Sequence, residues 1–544
     1  MRQVSWITVV LLCITNCAWA ERMGPRIIHF PSDRSMGMLY ILDANQVDAS
    51  SDDDWEPLCE ATGDVTVPFG KATRLDLSKE AINDLSPLSV LQPDDLTMLH
   101  CQGVEIADDQ LKHISHLTGL NNIDLNGTNI LGTGLKYLAG LKSLRKLWLS
   151  CTHVGDNELS YLLNFPLLEG LGLSDTPTTN DGMVVVGKIT SLEVLSLSAG
   201  VGDEGLAHLK GLKNLRWLSV GDRGVTDKGL ACLEGLTNLE YLGLEGAQVT
   251  DAGLVYLKKM LKLKSLRLYG TRVTERGFVH LEGLQNLENL QVLFGVTETG
   301  LMHLSKLPSL KSITVNGDSL GEEGLALLLK FESLEHVYID NTDKMDAIVK
   351  EIVNLHGLKE LTIDTGLTDE GLIELKNMQS LQKLTIGPSK ITGSGISALA
   401  QLPSLNTLTL HQANLASEDD WMALGKLSAL QSLSLRYLRS EVTDAHIAHL
   451  TGLQSLRELS IDAIVFKDRE AFVSMNVTDK GLHYISKLKS LEQLNLRGAK
   501  ITDEGLQQLS KIHGLNWISL QGCNVPEQSL QRLKKKLPGL QWDL

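Results

Sequence analysis

Apolar residues return at fixed places along most of the chain, in units of 23 or 24 residues. Residues 239–262 read LEYLGLEGAQVTDAGLVYLKKMLK, and residues 263–286 read LKSLRLYGTRVTERGFVHLEGLQN. In both units apolar residues occupy the first, fourth, sixth, eleventh, sixteenth and nineteenth positions. Self-similarity at a period of about 20–50 residues is typical of stacked repeats, in which each unit completes the core of its neighbour.

The fourth position of this unit can be followed through nineteen units. Consecutive fourth positions lie 23 or 24 residues apart, except in the last third, where the spacing lengthens to 25, 26 and then 35. Such regularity excludes a chance pattern. The residues are Leu75, Leu99, Ile123, Leu147, Leu171, Leu195, Leu218, Leu242, Leu266, Leu290, Ile313, Val337, Leu361, Leu384, Leu408, Leu433, Leu459, Leu494 and Ile518.

Each unit predicts a short strand, a turn and a short helix. Leucines at the fourth and sixth positions alternate with variable residues, so the leucines face one side of a strand and the variable residues face the other. In the V-T-D-x-G segment the threonine suits a helix N-cap, the aspartate favours the positive end of the helix dipole, and the glycine permits close approach of the next unit. The threonines in question are Thr226, Thr250, Thr368, Thr443, Thr478 and Thr502.

Stacking of such units predicts the fold. No single unit can bury its own leucines, so neighbouring units must share one continuous core. The sequence therefore predicts an α/β solenoid of horseshoe shape, with a parallel β-sheet on its concave face and short helices on its convex face.

The repeats resemble the leucine-rich-repeat superfamily, in the subclass with a T-D-x-G-L segment. That subclass includes the GALA-type bacterial proteins and the cysteine-containing repeats of ubiquitin-ligase subunits that recruit substrates. The opening IIHFPSDRS at residues 27–35 and VTVP at residues 65–68 are similar to exported planctomycete-type leucine-rich-repeat proteins. The repeat resemblance covers residues 74–544. It implies macromolecular recognition, and it carries over no catalytic residue because the family motif is structural.

The first twenty residues have the features of a signal peptide. Arg2 supplies a positive charge, residues 7–14 (ITVVLLCI) are apolar, and Ala18 and Ala20 are small residues at the positions that a signal peptidase reads. We expect cleavage after Ala20 and export to a periplasmic or extracellular location. No other stretch of eighteen apolar residues occurs, so the sequence predicts no membrane span.

Three further segments depart from the repeat. Residues 21–70 are expected to form a small β cap on the N-terminal end of a solenoid at residues 71–544, and the last unit is truncated. Residues 462–476 form an insertion, which should project from the edge where the strands end. It is either part of a binding face or a tolerated surface loop.

Charge and cysteine content exclude several classes of function. The formal net charge is −16, which argues against a nucleic-acid partner because phosphate binding needs a basic surface. Two of the seven cysteines lie in the signal, and the other five are scattered, which favours buried thiols over a disulfide framework. Cys59 and Cys101 could still lie near each other.

Motifs of catalysis are absent from the sequence. It contains no P-loop, no G-x-G-x-x-G, no H-E-x-x-H, no C-x-x-C pair and no G-x-S-x-G. His336 near Asp340 could mimic an acid–base pair, but the sequence offers no nucleophile or metal cluster beside it. We therefore expect no enzymatic activity, no catalytic residue, no metal and no cofactor.

Candidate ligand-binding residues lie at the variable strand positions. Six of the fifteen Trp and Tyr residues after residue 20 occupy these positions, an excess that fits a recognition face. Trp217, Tyr241, Arg267 and Tyr269 fall on three successive strands and should form one patch. A second patch, which is acidic, should contain His336, Tyr338, Asp340, Glu360 and Asp364. Trp148 and Trp517 complete the aromatic set.

The sequence favours a non-enzymatic binding scaffold that recognises a protein or polysaccharide through its concave face. One alternative is a structural protein of the cell envelope without a discrete ligand. A second is a substrate-recruiting adaptor of the ubiquitin-ligase type, which the signal peptide and the lack of an F-box disfavour. The sequence alone determines neither the ligand nor the oligomeric state.

Overall fold

The chain divides into two compact units, Met1–Leu284 and Gln285–Leu544, in a computed structural model. The structure describes residues 25–47, 54–78, 84–221, 223–340, 342–467, 470–473 and 475–543. The expected signal peptide lies outside these residues.

The first unit begins with antiparallel pairs. β1 (Arg26–His29) pairs with β4 (Asp64–Val67), and β2 (Gly37–Asp43) lies between β3 (Glu56–Glu60) and β5 (Lys71–Leu77). The Arg74 guanidinium lies over the ring of Tyr40, 4.3 Å from the ring centroid, and its Nε is 2.9 Å from Asp76 Oδ1. This contact ties the antiparallel strands to the first parallel strand.

Parallel strands of three residues continue the sheet of the first unit from β5 onward. They are β6 (Met98–His100), β7 (Asn122–Asp124), β8 (Lys146–Trp148), β9 (Gly170–Gly172), β10 (Val194–Ser196), β11 (Trp217–Ser219), β12 (Tyr241–Gly243) and β13 (Ser265–Arg267). The connecting α-helices are Asn180–Val186, Asp203–His208 and Asp227–Leu233. The connecting 3₁₀ helices are Ser86–Val90, Asp108–Ile114, Thr133–Gly140, Glu158–Asn164, Leu209–Gly211, Gly253–Lys259 and Glu275–His280.

The second unit has the same plan with longer strands. Its parallel strands are β14 (Asn289–Gln291), β15 (Ser312–Asn316), β16 (His336–Asp340), β17 (Glu360–Ile363), β18 (Lys383–Ile386), β19 (Thr407–His411), β20 (Ser432–Leu438), β22 (Glu458–Lys467), β25 (Gln493–Leu496), β26 (Trp517–Ser519) and β27 (Gln541–Asp543). Three short strands lie beside them, namely β21 (Val442–Thr443), β23 (Glu470–Val473) and β24 (Met475–Asn476).

Most connections in the second unit are α-helices. They are Glu298–Leu304, Glu322–Leu328, Met345–Ile352, Asp369–Glu374, Gly393–Ala398, Glu418–Gly425, Asp444–His449, Asp479–Ile485, Asp503–Gln508 and Glu527–Lys534. Short 3₁₀ helices lie at Gly317–Ser319, Leu375–Asn377, Leu399–Gln401, Leu450–Gly452 and Leu509–Lys511.

The core consists of the leucines that the repeat predicts. All nineteen fourth-position residues lie on strands and are at most 8% exposed. Within each of the two compact units these residues lie opposite one another on neighbouring strands, for example Leu218 opposite Leu242 and Leu384 opposite Leu408. The truncated last repeat continues the row, because Ile518 pairs with Trp542.

The aspartate of the V-T-D-x-G segment, which reads V-G-D-E-G at residues 201–205, has a role that the helix-dipole argument does not include. Asp203 Oδ1 accepts the backbone N–H groups of Thr226 and Gly229 in the next repeat at 2.7 and 2.9 Å, and its Oδ2 accepts the Thr226 hydroxyl at 2.7 Å. A Cβ on Gly229 would lie 2.4 Å from Asp203 Oδ1, so the glycine is needed for this approach. Each aspartate therefore holds the start of the following helix.

The same pair of bonds to the next threonine recurs in both units, and we call the set the aspartate ladder. Thr226, Thr368 and Thr478 cap their helices as predicted, since each hydroxyl accepts the backbone N–H two residues on. Thr443 and Thr502 occupy the N-cap position of their helices, whereas the helix after Thr250 is capped at Ala252, so the prediction is wrong for Thr250. The pairs are Asp156–Thr179, Asp203–Thr226, Asp227–Thr250, Asp251–Thr274, Asp346–Thr368, Asp369–Thr392, Asp444–Thr478 and Asp479–Thr502.

The insertion forms a β-hairpin. The first residues of β22 pair in parallel with β20 and β25, and the strand then continues to Lys467. Its second half pairs antiparallel with β23, from Ile464 opposite Val473 to Lys467 opposite Glu470. The extra residues thus extend the end of a sheet strand.

The five cysteines of the described residues are free thiols. Burial raises the pKa of Cys101, as expected for a thiol in the core. The expectation of buried thiols is confirmed for Cys101 alone, because Cys59, Cys232 and Cys523 are partly exposed and Cys151 is exposed. Cys151 occupies a turn with φ +56° directly after its strand, and its Sγ lies 3.8 Å from Asp175 Oδ2.

His446 lies on the buried ring of Trp421, with 5.0 Å between the ring centroids and 5° between the planes. Its Nδ1 accepts the backbone N–H of Thr443, and only the neutral ring can do so. Burial lowers the pKa of His446, against the opposing effect of the Glu418 and Glu441 carboxylates, and His449 lowers it further.

A lowered histidine pKa makes stability depend on pH in one direction. The unfolded chain, with a histidine pKa of about 6.5, binds more protons than the folded chain as the pH falls, so the contribution of His446 is complete above that value and lost below it. We expect the urea midpoint of the wild type to fall between pH 7.5 and 5.5, and to fall less in His446→Gln. His356→Gln, at an exposed histidine of the same unit, is the control with wild-type behaviour. An identical fall in His446→Gln would remove His446 as the cause.

Candidate ligand-binding face

The variable strand positions form one face of the sheet in each unit, on the side away from the leucine core. We call this the open face. Strand register arranges its side chains in three rows, placed before, between and after the two buried residues of each strand. In the first row Val194, Trp217 and Tyr241 are consecutive, and in the second row Ser196, Ser219 and Gly243 are consecutive. The predicted concave residues all lie in these rows.

The aromatic patch consists of Trp217, Tyr241, Arg267 and Tyr269 in the first unit. The Trp217 and Tyr241 rings are stacked, with centroids 4.6 Å apart and planes 9° from parallel. The Arg267 guanidinium covers the other side of Tyr241, with its carbon 5.3 Å from the ring centroid. Three successive strands thus contribute one column of stacked planar groups.

Glu245 completes this column, although repeat spacing alone does not single it out. It lies in the third row, and its Oε1 is 3.6 Å from Arg267 Nη1. Burial and the Glu245 carboxylate raise the pKa of the Tyr241 hydroxyl, while Arg267 lowers it. Arg267 Nε is buried and has no hydrogen-bond partner among the described residues. The column therefore combines apolar rings with a charge pair that solvent reaches only in part.

Tyr269 and Trp148 lie at different distances from this column. Tyr269 follows Arg267 by two residues along the chain, just after β13, and is 40% exposed. Trp148 is three strands away from Trp217 in the register, and its ring lies over the glycines of β9. A Cβ on Gly172 would lie 2.9 Å from Trp148 Cε3. The structure thus separates Trp148 from the aromatic patch.

The acidic patch predicted in the second unit divides into two parts. In the first row, His336 Nδ1 lies 3.1 Å from Glu360 Oε2, and Glu360 Oε1 lies 2.7 Å from Lys383 Nζ. His336 therefore contacts Glu360, not Asp340, and the idea of a His336–Asp340 acid–base pair is wrong. Asp340 and Asp364 lie in the third row instead, beyond the buried ends of β16 and β17.

The third row holds charges without local compensation. Burial raises the pKa of Asp340, and Asp364 and Asp318 raise it further. Burial, Asp364 and Asp340 likewise raise the pKa of the Tyr338 hydroxyl. Neither Asp340 nor Asp364 forms an ion pair within the ranges that the structure describes. This part of the face favours a cationic group.

Sequence profiles agree with the geometry of stacked strand–helix units. The family model described as "Leucine-rich repeat region" matches residues 242–482, and the model described as "Leucine Rich repeat" matches residues 487–510. The chain has the leucine-rich-repeat fold. No curated protein matches its sequence significantly.

Solved structures of leucine-rich-repeat proteins are similar to this one at low identity. A leucine-rich-repeat protein of Leptospira interrogans is 17% identical, over 83% of this chain and 96% of that chain, with a TM-score of 0.35. The plant peptide hormone receptor RGFR1 in complex with RGF2 is 14% identical, over 83% and 78%, with a TM-score of 0.34. The TLR13–ssRNA13 complex is 19% identical, over 87% of this chain and 65% of that chain, with a TM-score of 0.43.

The leucine-rich-repeat sheet also carries a ladder of ion pairs just before the first row. Glu240 lies 2.7 Å from Arg216 and 2.9 Å from Lys264 on the neighbouring repeats, and both cations lower the pKa of its carboxyl. Glu288–Lys311 and Glu335–Lys359, at 2.6 and 3.0 Å, repeat the pattern in the second unit. These charges neutralise one another and offer little to a ligand.

Metal binding and membrane insertion would each require a particular arrangement of side chains or helices. Within the described residues, no group of three or more His, Cys, Asp or Glu side chains is arranged to hold a metal ion. In the same part of the chain, no helix is both long and apolar enough to cross a bilayer.

Three further residues of the second unit share one position that the sequence did not lead us to predict. His411, Arg436 and Asp462 occupy the third row of β19, β20 and β22, in line with Asp340 and Asp364. The sequence does contain a signal for these three residues, because the residue that follows the sixth position can be read from every repeat. Aromatic enrichment, on which the predicted patches rest, does not reveal charged residues at that position.

Proposed function

We propose that this protein is a non-enzymatic recognition module that binds a protein partner through the open face of its sheet. The observation that carries the proposal is the Trp217–Tyr241–Arg267 column. Small residues such as Ser196 and Ser219 lie beside it on the same face. Trp, Tyr and Arg are the residues that contribute most to binding energy at protein interfaces.

The exposure of the aromatic patch needs a reason beyond folding. Its side chains project away from the leucine core, so they add little to the burial that stabilises the repeats. Half-exposed aromatic side chains lose their remaining contact with water when a partner covers them, at about 25 cal/mol for each Å² of apolar area. A partner that covers Trp217 and Tyr269 would gain this energy.

The stacking favours a protein partner over a polysaccharide. Sugars pack against open aromatic faces, but one face of Trp217 is covered by Tyr241 and the other face of Tyr241 is covered by Arg267. The exposed edges and the Arg267–Glu245 pair suit the mixed apolar and polar contacts of a protein surface. A polysaccharide ligand is the alternative outcome of the test below.

The finer family placement and the cellular address belong to this proposal. Residues 1–20 support export to a periplasmic or extracellular location, and the T-D-x-G-L segments support the GALA-like subclass, with the opening segment similar to exported planctomycete-type proteins. The paired strands β22 and β23 of the second unit are a second candidate contact region, since they extend a strand of that unit's sheet.

Site-specific photo-crosslinking in the native host tests the proposal even though the partner is unidentified. A benzophenone amino acid replaces Ser219, beside Trp217 on the open face, or Val255, which is exposed on a 3₁₀ helix of the same unit. We expect a discrete protein adduct from position 219 in the exported fraction, and none from position 255. Matched yields confirm that both variants fold.

Three outcomes would contradict parts of the proposal. An adduct from position 255 alone would move recognition to the helices. An adduct that stains for carbohydrate would replace the protein partner by a polysaccharide. A cytosolic product that retains residues 1–20 would overturn the proposed export.

A further inference from the structure

The third row of the second unit carries charges of opposite sign on separate strands. Asp340 and Asp364 follow the buried residues of β16 and β17, and His411 and Arg436 occupy the same place on β19 and β20. Between them lies Gly387, after β18. We call these five residues the charged row.

Other charges of the second unit, at the first row and just before it, are paired within the protein. Glu335 bonds Lys359 at 3.0 Å, and Glu360 bonds Lys383 at 2.7 Å. Arg436, by contrast, donates from Nε to the Ser434 hydroxyl at 3.0 Å and forms no ion pair with the residues described. A ligand can pair with the charged row without first breaking an existing salt bridge.

At the acidic end of the row, the surroundings disfavour the ionised form of the Asp340 carboxyl group. Asp340 Oδ1 is buried without a hydrogen-bond partner in the described part of the chain, and the Asp364 carboxylate repels it from the next strand. A cation placed between the two carboxylates would relieve both effects.

The basic end has the opposite preference. His411 is half-buried, and burial and the neighbouring Arg436 lower its pKa while Asp364 raises it, so the positive charge at this end is that of Arg436. Asp462 follows Arg436 in the row but is shared, because it also faces Arg497 at 3.8 Å. The two arginines together outweigh that one carboxylate. An anion is favoured at this end.

The middle of the row carries no charged side chain. Gly387 is required there because a Cβ would lie 1.9 Å from the Asp364 carbonyl oxygen, so this position adds no side chain between Asp364 and His411. The second row below supplies hydroxyl groups from Thr362, Thr385 and Thr409, which are consecutive in register. Such groups can bond the backbone of an extended peptide.

The spacing sets the length of the segment that fits. Three strand-to-strand spacings lie between Asp364 and Arg436 and four between Asp340 and Arg436, which corresponds to about 14–19 Å at the usual distance between neighbouring strands. An extended peptide covers this distance in about four to six residues.

We propose that the charged row binds an extended protein segment lying across the strands, with a lysine or arginine over Asp340 and Asp364 and an acidic residue over Arg436, about four to six positions apart. This deepens the proposed function and rests on it, since it assumes a protein partner on the open face. It specifies the feature of that partner which the second unit recognises, a pair of opposite charges on one extended segment.

Selection from a phage-displayed library of random dodecapeptides tests this directly. The immobilised full-length protein is used as wild type, as Asp340→Asn with Asp364→Asn, as Arg436→Gln, and as Glu360→Gln with Lys383→Gln. The last variant removes a charge pair that is already satisfied on the same face, so it is the matched control. Circular dichroism verifies that all four proteins are folded.

The wild type and the control should both enrich peptides that carry a basic and an acidic residue at the stated separation. The double aspartate variant should lose the preference for the basic residue only, and Arg436→Gln the preference for the acidic residue only. Affinity of a selected peptide should fall about tenfold in the aspartate variant, and it should weaken with added salt.

Peptides without this charge pattern, selection of no peptide, or a pattern unchanged in the aspartate and Arg436 variants would overturn the proposal. The photo-crosslinking experiment at position 219 probes the first unit and uses the native partner. It therefore decides the proposed function separately from the charged row.

Discussion

Asp203→Ala should lower the free energy of unfolding of the first unit by about 3 kcal/mol. The carboxylate accepts three hydrogen bonds from the next repeat, and alanine leaves the Thr226 and Gly229 N–H groups without their partner. Bonds to a charged group contribute about 1.5–3 kcal/mol each, but the three share one carboxylate and are not additive. Loss of the ladder contact should also weaken the stacking of the two repeats.

Two other variants separate the hydrogen bonds of Asp203 from its charge and from the general effect of removing a carboxylate in this region. Asp203→Asn should cost about 1 kcal/mol, because an amide oxygen can take the same role. Asn180 already does so, accepting the N–H groups of Gly202 and Gly205 at 2.8 and 3.1 Å. Asp181→Ala removes an exposed carboxylate beside Asn180 and should change stability by less than about 0.5 kcal/mol.

Urea unfolding gives the stability, and hydrogen exchange shows where it is lost. Repeat proteins open in local segments, so protection should decrease first around residues 226–233 in Asp203→Ala. Equal destabilisation by Asp181→Ala, or wild-type protection in Asp203→Ala, would contradict the ladder.

The strands were predictable because the leucine pattern depends on burial alone. Leu218 and Leu384 must lie in the core wherever their neighbours are, so periodicity is enough to place them. The threonine caps were predictable for a similar reason, since a cap acts within its own helix. The bond from Asp203 to Thr226 was not, because it joins side chains of different repeats at a distance that no local rule supplies.

The candidate site shows the same division. Sequence spacing placed Trp217, Tyr241 and Arg267 on successive strands, and the structure stacks them in that order. Spacing did not predict that His336 would turn to Glu360 and away from Asp340. That choice depends on side-chain rotamers and on competing charges in neighbouring strands, neither of which is visible in one repeat.

Trp217→Ala combined with Tyr269→Ala should weaken partner binding about 100-fold, the effect of losing roughly 3 kcal/mol at an interface centre. Both side chains face away from the leucine core, so the fold should remain. Tyr137→Ala is the matched control, since Tyr137 is 37% exposed in the same unit but lies on a 3₁₀ helix. It should bind as the wild type does.

Quantitative co-precipitation from an envelope extract of the native host tests recognition by the open face most directly. Bound proteins are measured by mass spectrometry for the wild type, the double variant and Tyr137→Ala, each with its circular dichroism spectrum. The account predicts a partner that is retained by the wild type and Tyr137→Ala and lost from a folded double variant. Recovery of the same partner at wild-type yield by the double variant would contradict it.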